Sequence, residues 1–397
     1  MWARSRRPAL RTSASTDLTD RGKSGHGLPP RGGRAALAGV VAAAAVLAGG
    51  TAAVTAPVPP LRVPQQWCGT ETAADQPDAV AALQIHVVYA IPADAADRFG
   101  ERVLPILSDL TAAESWWQAQ DSSRELRLDL LTVPCDSSMG RVDITAARLP
   151  NVGSFYDDPQ RGFERLVGDL QGPAGLNSPD KKYLVYYDGA VVVAGICGTS
   201  PNGPRYLSSA AVVYLDSLCG DDLGSGGKAA ATAVHELLHN LGADPHVHAC
   251  AGSPGHVCDD RHDILYPRVE EGVVLGSLRL DVGHDDYYAL QAGSAGSWDV
   301  RRSPFLERPQ EAQVPPTAVG SLRATTAGTR ISLTWTPAKG SDLVYRVYRD
   351  GRILTQTRHP AATDVARGVT AVAYTVRAMN GAGLLGRPAA VTVQAGL

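Results

Sequence analysis

Two histidines four residues apart are the side chains of this chain best suited to chemistry. Positions 235 to 239 read His-Glu-Leu-Leu-His, and apolar residues recur around them at the spacing of one helical face, namely Val234, Leu237, Leu238 and Leu241. On a helix, His235 and His239 lie one turn apart, so both imidazoles can reach one zinc ion. Glu236 can then reach a metal-bound water as general base. The pattern predicts Zn²⁺-dependent peptide hydrolysis.

A third zinc ligand is expected shortly after this helix, but the spacing leaves its identity open. Gly242 lets the chain turn, as in the metzincin pattern His-Glu-x-x-His-x-x-Gly-x-x-His. The position where that pattern has its last histidine is Pro245, which cannot bind a metal. The nearby alternatives are His246, His248, Asp244 or a water molecule.

Four short segments beyond the helix carry a family resemblance: Pro254–Asp259, Asp263–Tyr266, Leu280–Asp281 and His284–Tyr288. With them, most of residues 80 to 306 resembles a group of secreted bacterial metzincin-like proteins. In that group a Gly-His or Trp-His step precedes a turn of the form Asp-hydrophobic-Met, and here His256 matches the step. The resemblance implies His256 as third ligand, with His246 as the alternative, and a metzincin-like mixed sheet behind the active-site helix.

The turn departs from the family pattern, because Leu265 stands where methionine is usual. Leucine and methionine have similar volumes, so an apolar floor under the metal survives the exchange. Tyr266 is a candidate to stabilise an oxyanion, against the simpler interpretation of a packed aromatic after a tight turn. Asp285 and Asp286 are interpreted as solvated or capping acids, or as residues that orient ligands or bind calcium.

Alternating and apolar segments predict the elements that would position this site. Strands are expected at 84–91, 125–131, 183–187 and 210–215, with helices at 154–171 and at 94–118, the latter interrupted near Pro105. Strands interleaved with helices predict an α+β domain, and its expected bounds are 57–307.

The sequence changes character near residue 308. A polar, proline-bearing stretch at 308–316 predicts a linker, and only strands are expected beyond it, at 330–336, 344–349 and 372–378. Residues 317–397 resemble a fibronectin type III module, which implies an all-β, immunoglobulin-like sandwich. Such a domain suggests attachment to an extracellular polymer or a cell-surface ligand, although the sandwich serves many roles.

Charge and cysteine content point to an exported protein. Residues 1–34 carry eight Lys/Arg and two Asp, and the net charge of −3 leaves about −9 for the remainder, which argues against a nucleic-acid partner. The uncharged stretch 35–56 predicts a signal peptide cleaved near Ala53–Ala56, or an uncleaved N-terminal membrane anchor within 1–56. Six cysteines predict three disulfides, and proximity favours the pairs Cys68–Cys135, Cys197–Cys219 and Cys250–Cys258.

Together these features predict a secreted zinc-dependent endopeptidase with a protein or peptide substrate. The alternative is a non-catalytic extracellular binding or adhesion protein whose zinc is structural, suggested by Pro245 and Leu265. Glu236 speaks against that alternative, because a purely structural site needs no carboxylate base there. A narrow amidase acting on cell-wall peptides is a third hypothesis.

Overall fold

The structure is a computed structural model. It describes residues 64–190, 195–201, 203, 207–269, 272–291, 298–310, 313–367 and 371–394. The predicted signal peptide or anchor at 1–56 lies outside these residues, so that prediction is untested. Within the described part, no helix is both long enough and apolar enough to cross a membrane.

Within the described residues, the regular structure consists of four α-helices, sixteen strands and four short 3-10 helices. The helices are α1 (Phe99–Gln120), α2 (Gly153–Tyr156), α3 (Gly162–Gln171) and α4 (Lys228–Asn240). The strands of the first part are β1 (Gln84–Ile91), β2 (Glu125–Leu126), β3 (Ile144–Arg148), β4 (Lys181–Tyr187), β5 (Gly198–Thr199), β6 (Ala210–Tyr214), β7 (Ala249–Cys250), β8 (Ser253–Val257) and β9 (Leu306–Glu307). The strands of the second part are β10 (Gly320–Ala327), β11 (Arg330–Thr336), β12 (Val344–Arg349), β13 (Arg352–Thr357), β14 (Ala361–Val365), β15 (Ala371–Met379) and β16 (Ala389–Gln394).

A five-stranded mixed sheet forms the centre of the first part, in the order β3-β1-β4-β6-β5. Its inner strands are parallel, and the short edge strand β5 runs antiparallel to β6. Alternate residues of the buried strands contribute their side chains to two hydrophobic cores, one on each face of the sheet. The α4-side core includes α1 and α4, and the α3-side core includes Leu166 and Leu170 of α3. This mixed α and β architecture agrees with the predicted class.

Three predicted elements differ in extent from those observed. The strand expected at 125–131 is continuous only at Glu125–Leu126. Leu128, Leu130 and Leu131 each form an isolated β-bridge with a different segment of the chain. The helix expected at 154–171 is two helices, because a turn separates them in which Asp158 accepts hydrogen bonds from the N–H groups of Gln160 and Arg161. Helix α1 instead continues through Pro105.

The second part is a two-sheet β-structure, with sheets β10-β11-β14 and β13-β12-β15-β16 around one core. Three of its seven strands, β11, β12 and β15, match the three that were predicted there. It also packs on the first part: the Leu83 N–H donates to Gly383 O at 2.9 Å and the Leu385 N–H donates to Ala81 O at 2.8 Å. Met379 and Leu385 belong to the α4-side core. The division at 308–316 into two domains remains a proposal.

All three predicted disulfides are present, namely Cys68–Cys135, Cys197–Cys219 and Cys250–Cys258. No free cysteine remains. The first of them ties the segment before β1 to the loop after β2, and the second ties the start of β5 to the loop after β6. The third closes the β7–β8 hairpin.

Candidate metal and catalytic site

Helix α4 presents the histidine pair. At its N-terminus the Asp222 carboxylate accepts hydrogen bonds from the backbone N–H groups of Lys228 (2.6 Å) and Ala229 (3.0 Å), which satisfies donors that a helix leaves unpaired. Its apolar stripe is buried in the α4-side core, as the residue spacing predicts. His235, Glu236 and His239 consequently lie on the part of the helix that faces a cleft.

The chain leaves α4 through a tight C-terminal turn. Gly242 has a φ of 95°, a conformation that side chains with a Cβ rarely adopt. Its N–H bonds to His239 O and the next N–H, from Ala243, bonds to Leu238 O, both at 2.9 Å, which is the hydrogen-bond pattern of a Schellman cap. The chain then returns as the β7–β8 hairpin, closed by the Cys250–Cys258 disulfide. This hairpin brings His256 back to α4.

His235, His239 and His256 form one cluster in which a single nitrogen from each ring lies within 4.8 Å of the others. Nε2 of His235 lies 3.2 Å from Nε2 of His239. Two nitrogens bound to one tetrahedral zinc at about 2.1 Å would be separated by about 3.4 Å. The spacing of the nitrogens therefore fits a zinc ion.

The other ring nitrogens of two of these histidines are oriented by carbonyl oxygens. His235 Nδ1 donates to Ile264 O at 2.6 Å. His256 Nδ1 lies 3.2 Å from Pro254 O and 3.3 Å from Ser253 O, so it carries the hydrogen as well. In both rings Nε2 is left as the lone-pair donor, an arrangement typical of metal-binding histidine.

Burial keeps the imidazoles neutral. It lowers the pKa of His235 to about 4, with the neighbouring His256 ring adding to the shift. Burial likewise lowers the pKa of His239 well below its usual value, helped by the other two rings, and lowers the pKa of His256. Neutral rings offer lone pairs to a metal without first losing a proton.

Glu236 is buried beside the edge strand of the sheet. Burial raises the pKa of its carboxyl to about 8. A Cβ atom at position 198 would lie 2.5 Å from Glu236 Cγ and 2.7 Å from Thr232 Cγ2, so only glycine fits between β5 and this stretch of α4. Gly198 is not recognisable from the sequence, because a two-residue strand has no periodic pattern.

The turn after the hairpin supports both sides of the cluster. The Asp263 carboxylate accepts from the Leu265 N–H (2.7 Å) and from the Tyr287 hydroxyl (2.8 Å). Two carbonyl groups of the turn also accept hydrogen bonds. Ile264 O accepts from His235 and orients its ring, and Leu265 O accepts from the Val257 N–H of the hairpin at 3.1 Å. Leu265 itself is fully buried in the α4-side core. An apolar residue therefore occupies the methionine position without loss of the turn.

The remaining residues that the sequence predicts for the site lie outside the histidine cluster. His246 is exposed beside Asp244 at 3.7 Å, outside the cluster. His248 Nδ1 lies 3.0 Å from Asp286 and 3.8 Å from Asp285, so the two acids face this histidine and not the cluster. Tyr266 lines the same cleft as the three histidines.

The cleft has a volume of about 630 Å³. The α4 residues and His256 lie on one side of it, and residues 195–200, which include β5, form another. β5 is the last strand of the sheet, and no described strand pairs with its outer edge. The cleft thus brings together a histidine set with the geometry of a candidate metal site, a buried carboxyl and an available strand edge.

The chain matches no protein-family model and no curated protein. Among solved structures it is similar to wild-type OgpA from Akkermansia muciniphila, with 16% identity over 84% of this chain and 96% of that chain and a TM-score of 0.34. The M60 catalytic domain from Clostridium perfringens ZmpC is similar over 21% of this chain and 17% of that chain, with 14% identity and a TM-score of 0.17.

Fibronectin(III)-like modules of Clostridium thermocellum CbhA are similar over 19% of this chain and 96% of that chain, with 14% identity and a TM-score of 0.16. At such TM-scores the similarities assign neither a family nor a function. The chemistry of the site therefore rests on its own residues.

Proposed function

We propose that this protein is a secreted, zinc-dependent endopeptidase with a metzincin-like site. The observation that carries the proposal is the convergence of His235, His239 and His256 around one point, directly beside the buried Glu236. Three neutral imidazoles with an open fourth position are a ligand set used by hydrolytic zinc sites. A structural zinc site would need neither the carboxyl nor the cleft.

Glu236 is proposed as the general base and acid of the reaction. A bound zinc ion supplies Lewis acidity at the scissile carbonyl and at the attacking water. In its ionised form, which the positive charge of a bound zinc ion would favour, the Glu236 carboxylate takes a proton from the attacking water, and it returns the proton to the leaving amine nitrogen. Tyr266, which lines the cleft, is the candidate donor to the developing oxyanion.

The substrate is proposed to bind as an extended peptide along β5. The strand is at the edge of the sheet, and an extended peptide can add to such an edge through backbone hydrogen bonds. Gly198 keeps this edge close to Glu236. A substrate strand paired with β5 would therefore pass the catalytic carboxyl.

Export is supported by the three disulfides, which persist in oxidising compartments. The proposed partners are a protein or peptide substrate in the cleft and an extracellular polymer or cell-surface ligand for the sandwich part. No nucleic acid is expected, and contact with a membrane is expected only if the segment 1–56 is retained.

The proposal is tested by digestion assays on purified protein with and without a chelator. The substrate panel contains casein, gelatin, an O-glycosylated peptide and peptidoglycan fragments. We expect one zinc per chain, and proteolysis that is lost with chelator and in Glu236→Gln. The exposed Glu101→Gln, on α1, serves as the matched control and should keep full activity.

Cleavage of peptidoglycan fragments alone would instead identify the protein as a cell-wall amidase. Stoichiometric zinc without cleavage of any substrate would favour the non-catalytic binding protein. Proteolysis that is unchanged in Glu236→Gln would contradict the assigned base.

A further inference from the structure

The two residues of β5 face opposite sides of the sheet. Gly198 pairs with Val213 of the α4-side core, and its missing side chain would point at Glu236. Thr199 pairs with Val212, a residue of the α3-side core, and it lines a cavity on that side together with Tyr214. Any extended peptide added along this edge must follow the same alternation, because successive strand residues point to opposite faces.

A second cavity lies on the α3 side of this edge. It has a volume of about 230 Å³, and its apolar walls are formed by Tyr156, Phe163, Leu166, Tyr187, Ile196 and Tyr214. These residues define what is called here the aromatic cavity. Ile196 and Thr199 line both this cavity and the catalytic cleft. The two spaces therefore meet at the strand along which a substrate is proposed to bind.

We propose that the aromatic cavity is a specificity subsite that takes one large apolar side chain, preferably a phenylalanine, of the substrate. The inference rests on the proposed peptidase function and names its substrate preference. In an extended substrate, this side chain belongs to the residue that points to the α3 side of the sheet. Its two neighbours in the substrate then point to the opposite face, towards α4 and the histidine cluster. Selectivity should consequently appear at one substrate position and not at the two flanking it.

The size and charge of the aromatic cavity favour this occupant. An apolar cavity of about 150 Å³ admits benzene, so about 230 Å³ accommodates a phenyl side chain. Among the described residues that line it, Asp158 is the only charged one, and its carboxylate is held by Arg165 at 3.2 Å and by two backbone N–H groups. A charged substrate side chain would lose its water here without gaining a partner.

The first test uses peptides that differ at a single position. For each position near the scissile bond, kcat/KM is compared for Phe, Gly, Asp and Lys. We expect one position at which Phe exceeds Gly by at least about 10-fold, since apolar pockets discriminate single methylene groups by that factor or more. Equal values at every position, in a protein that does cleave peptides, would overturn the subsite.

Substitutions then locate the preference. Ala190 is exposed and lines the aromatic cavity, so Ala190→Phe should fill it and bring the Phe-to-Gly ratio towards one. Phe163→Ala removes a wall and should lower the ratio as well. The exposed Ala119→Phe, on α1, is the matched control and should leave the ratio unchanged. If the preference for Phe over Gly persists in both cavity variants, it arises from another part of the cleft.

Binding measured in Glu236→Gln separates this inference from the proposed function. Because this variant should leave the peptides intact, their affinities can be compared by calorimetry. The peptide with Phe at the selective position should bind at least about 10-fold more tightly than the one with Gly there. If this discrimination is seen although the unmodified protein cleaves nothing, the subsite stands and the peptidase proposal fails. If cleavage occurs without discrimination in either assay, the peptidase proposal stands and the subsite fails.

Discussion

Arg346 of β12 forms an ion pair of 2.9 Å with Asp180, the residue immediately before β4. The Arg346 side chain is 0% exposed, and it also donates to Pro179 O at 2.7 Å and to the Tyr348 hydroxyl at 2.9 Å. A buried guanidinium with these partners joins the sandwich to the central sheet. The second part is therefore packed on the first part through a buried polar contact as well as through Met379 and Leu385.

Replacement of Arg346 should destabilise the whole molecule. Removing one partner of a buried ion pair costs about 3–5 kcal/mol when the other charge is left unpaired, and the remaining contact of Asp180 with Arg377 at 3.6 Å places the expected loss at the lower end of that range. We expect Arg346→Met to lower the free energy of unfolding by this amount, measured by urea denaturation. Arg302→Met is the control: Arg302 is 76% exposed beside Asp299, so its loss should cost less than about 1 kcal/mol. Equal midpoints for the two variants would contradict the structural role of Arg346.

The identity of the third ligand is tested by metal binding. We expect His256→Ala to lose zinc on dialysis, whereas His246→Ala keeps one zinc per chain, measured by mass spectrometry. At zinc concentrations 100-fold above Kd, binding stabilises the native state by about 2.7 kcal/mol. That stabilisation should be seen for the unmodified protein and for His246→Ala but not for His256→Ala. The reverse pattern would make His246 the ligand.

Close packing at Gly198 predicts a catalytic defect without a loss of metal. In Gly198→Ala the added Cβ collides with Glu236 Cγ, and either β5 or the carboxyl must move. A displacement of about 1 Å in a reacting group can cost about 100-fold in rate, so kcat/KM should fall by that order while zinc content is unchanged. Gly252→Ala in the hairpin has no atom within 4 Å of its new Cβ and should be neutral. Full activity of Gly198→Ala would show that this contact does not position Glu236.

Sequence patterns predicted those features that depend on local chemistry. The apolar spacing around His235 and His239 identified α4, and alternation identified β11, β12 and β15. Pairing each cysteine with the next one along the chain predicted all three disulfides, since the entropic cost of closing a loop rises with its length.

Features set by pairing between distant segments were not predicted. β5 is a strand only because it pairs with β6, and nothing in the letters Gly-Thr distinguishes it from a loop. The contact between Arg346 and Asp180 joins residues 166 positions apart, and both are ordinary charged residues in the sequence. The aromatic cavity likewise draws residues from α2, α3, β4 and β6, so its existence depends on the fold.

Lys182 is a buried cation next to the end of the histidine helix. Its Nζ donates to Ser209 Oγ at 2.9 Å, Leu207 O at 3.1 Å and Asn240 Oδ1 at 3.1 Å, and the residue is 0% exposed. Asn240 directly follows His239. Burial lowers the pKa of Lys182 to about 7, because the charged form loses its hydration.

This shift predicts a pH-dependent contribution of Lys182 to stability. The folded-state pKa of about 7 lies below the unfolded value of about 10.4, so between these values the unfolded chain binds more protons and stability rises with pH. Lys182→Met lacks the titrating group. The unfolding free energy of the unmodified protein minus that of Lys182→Met should rise by roughly 1.4 kcal/mol per pH unit between pH 7 and 9, and stay flat below pH 6. Urea denaturation at each pH measures this slope. Lys339→Met, at an exposed site, should show no slope, and a constant difference for Lys182→Met would refute the assigned shift.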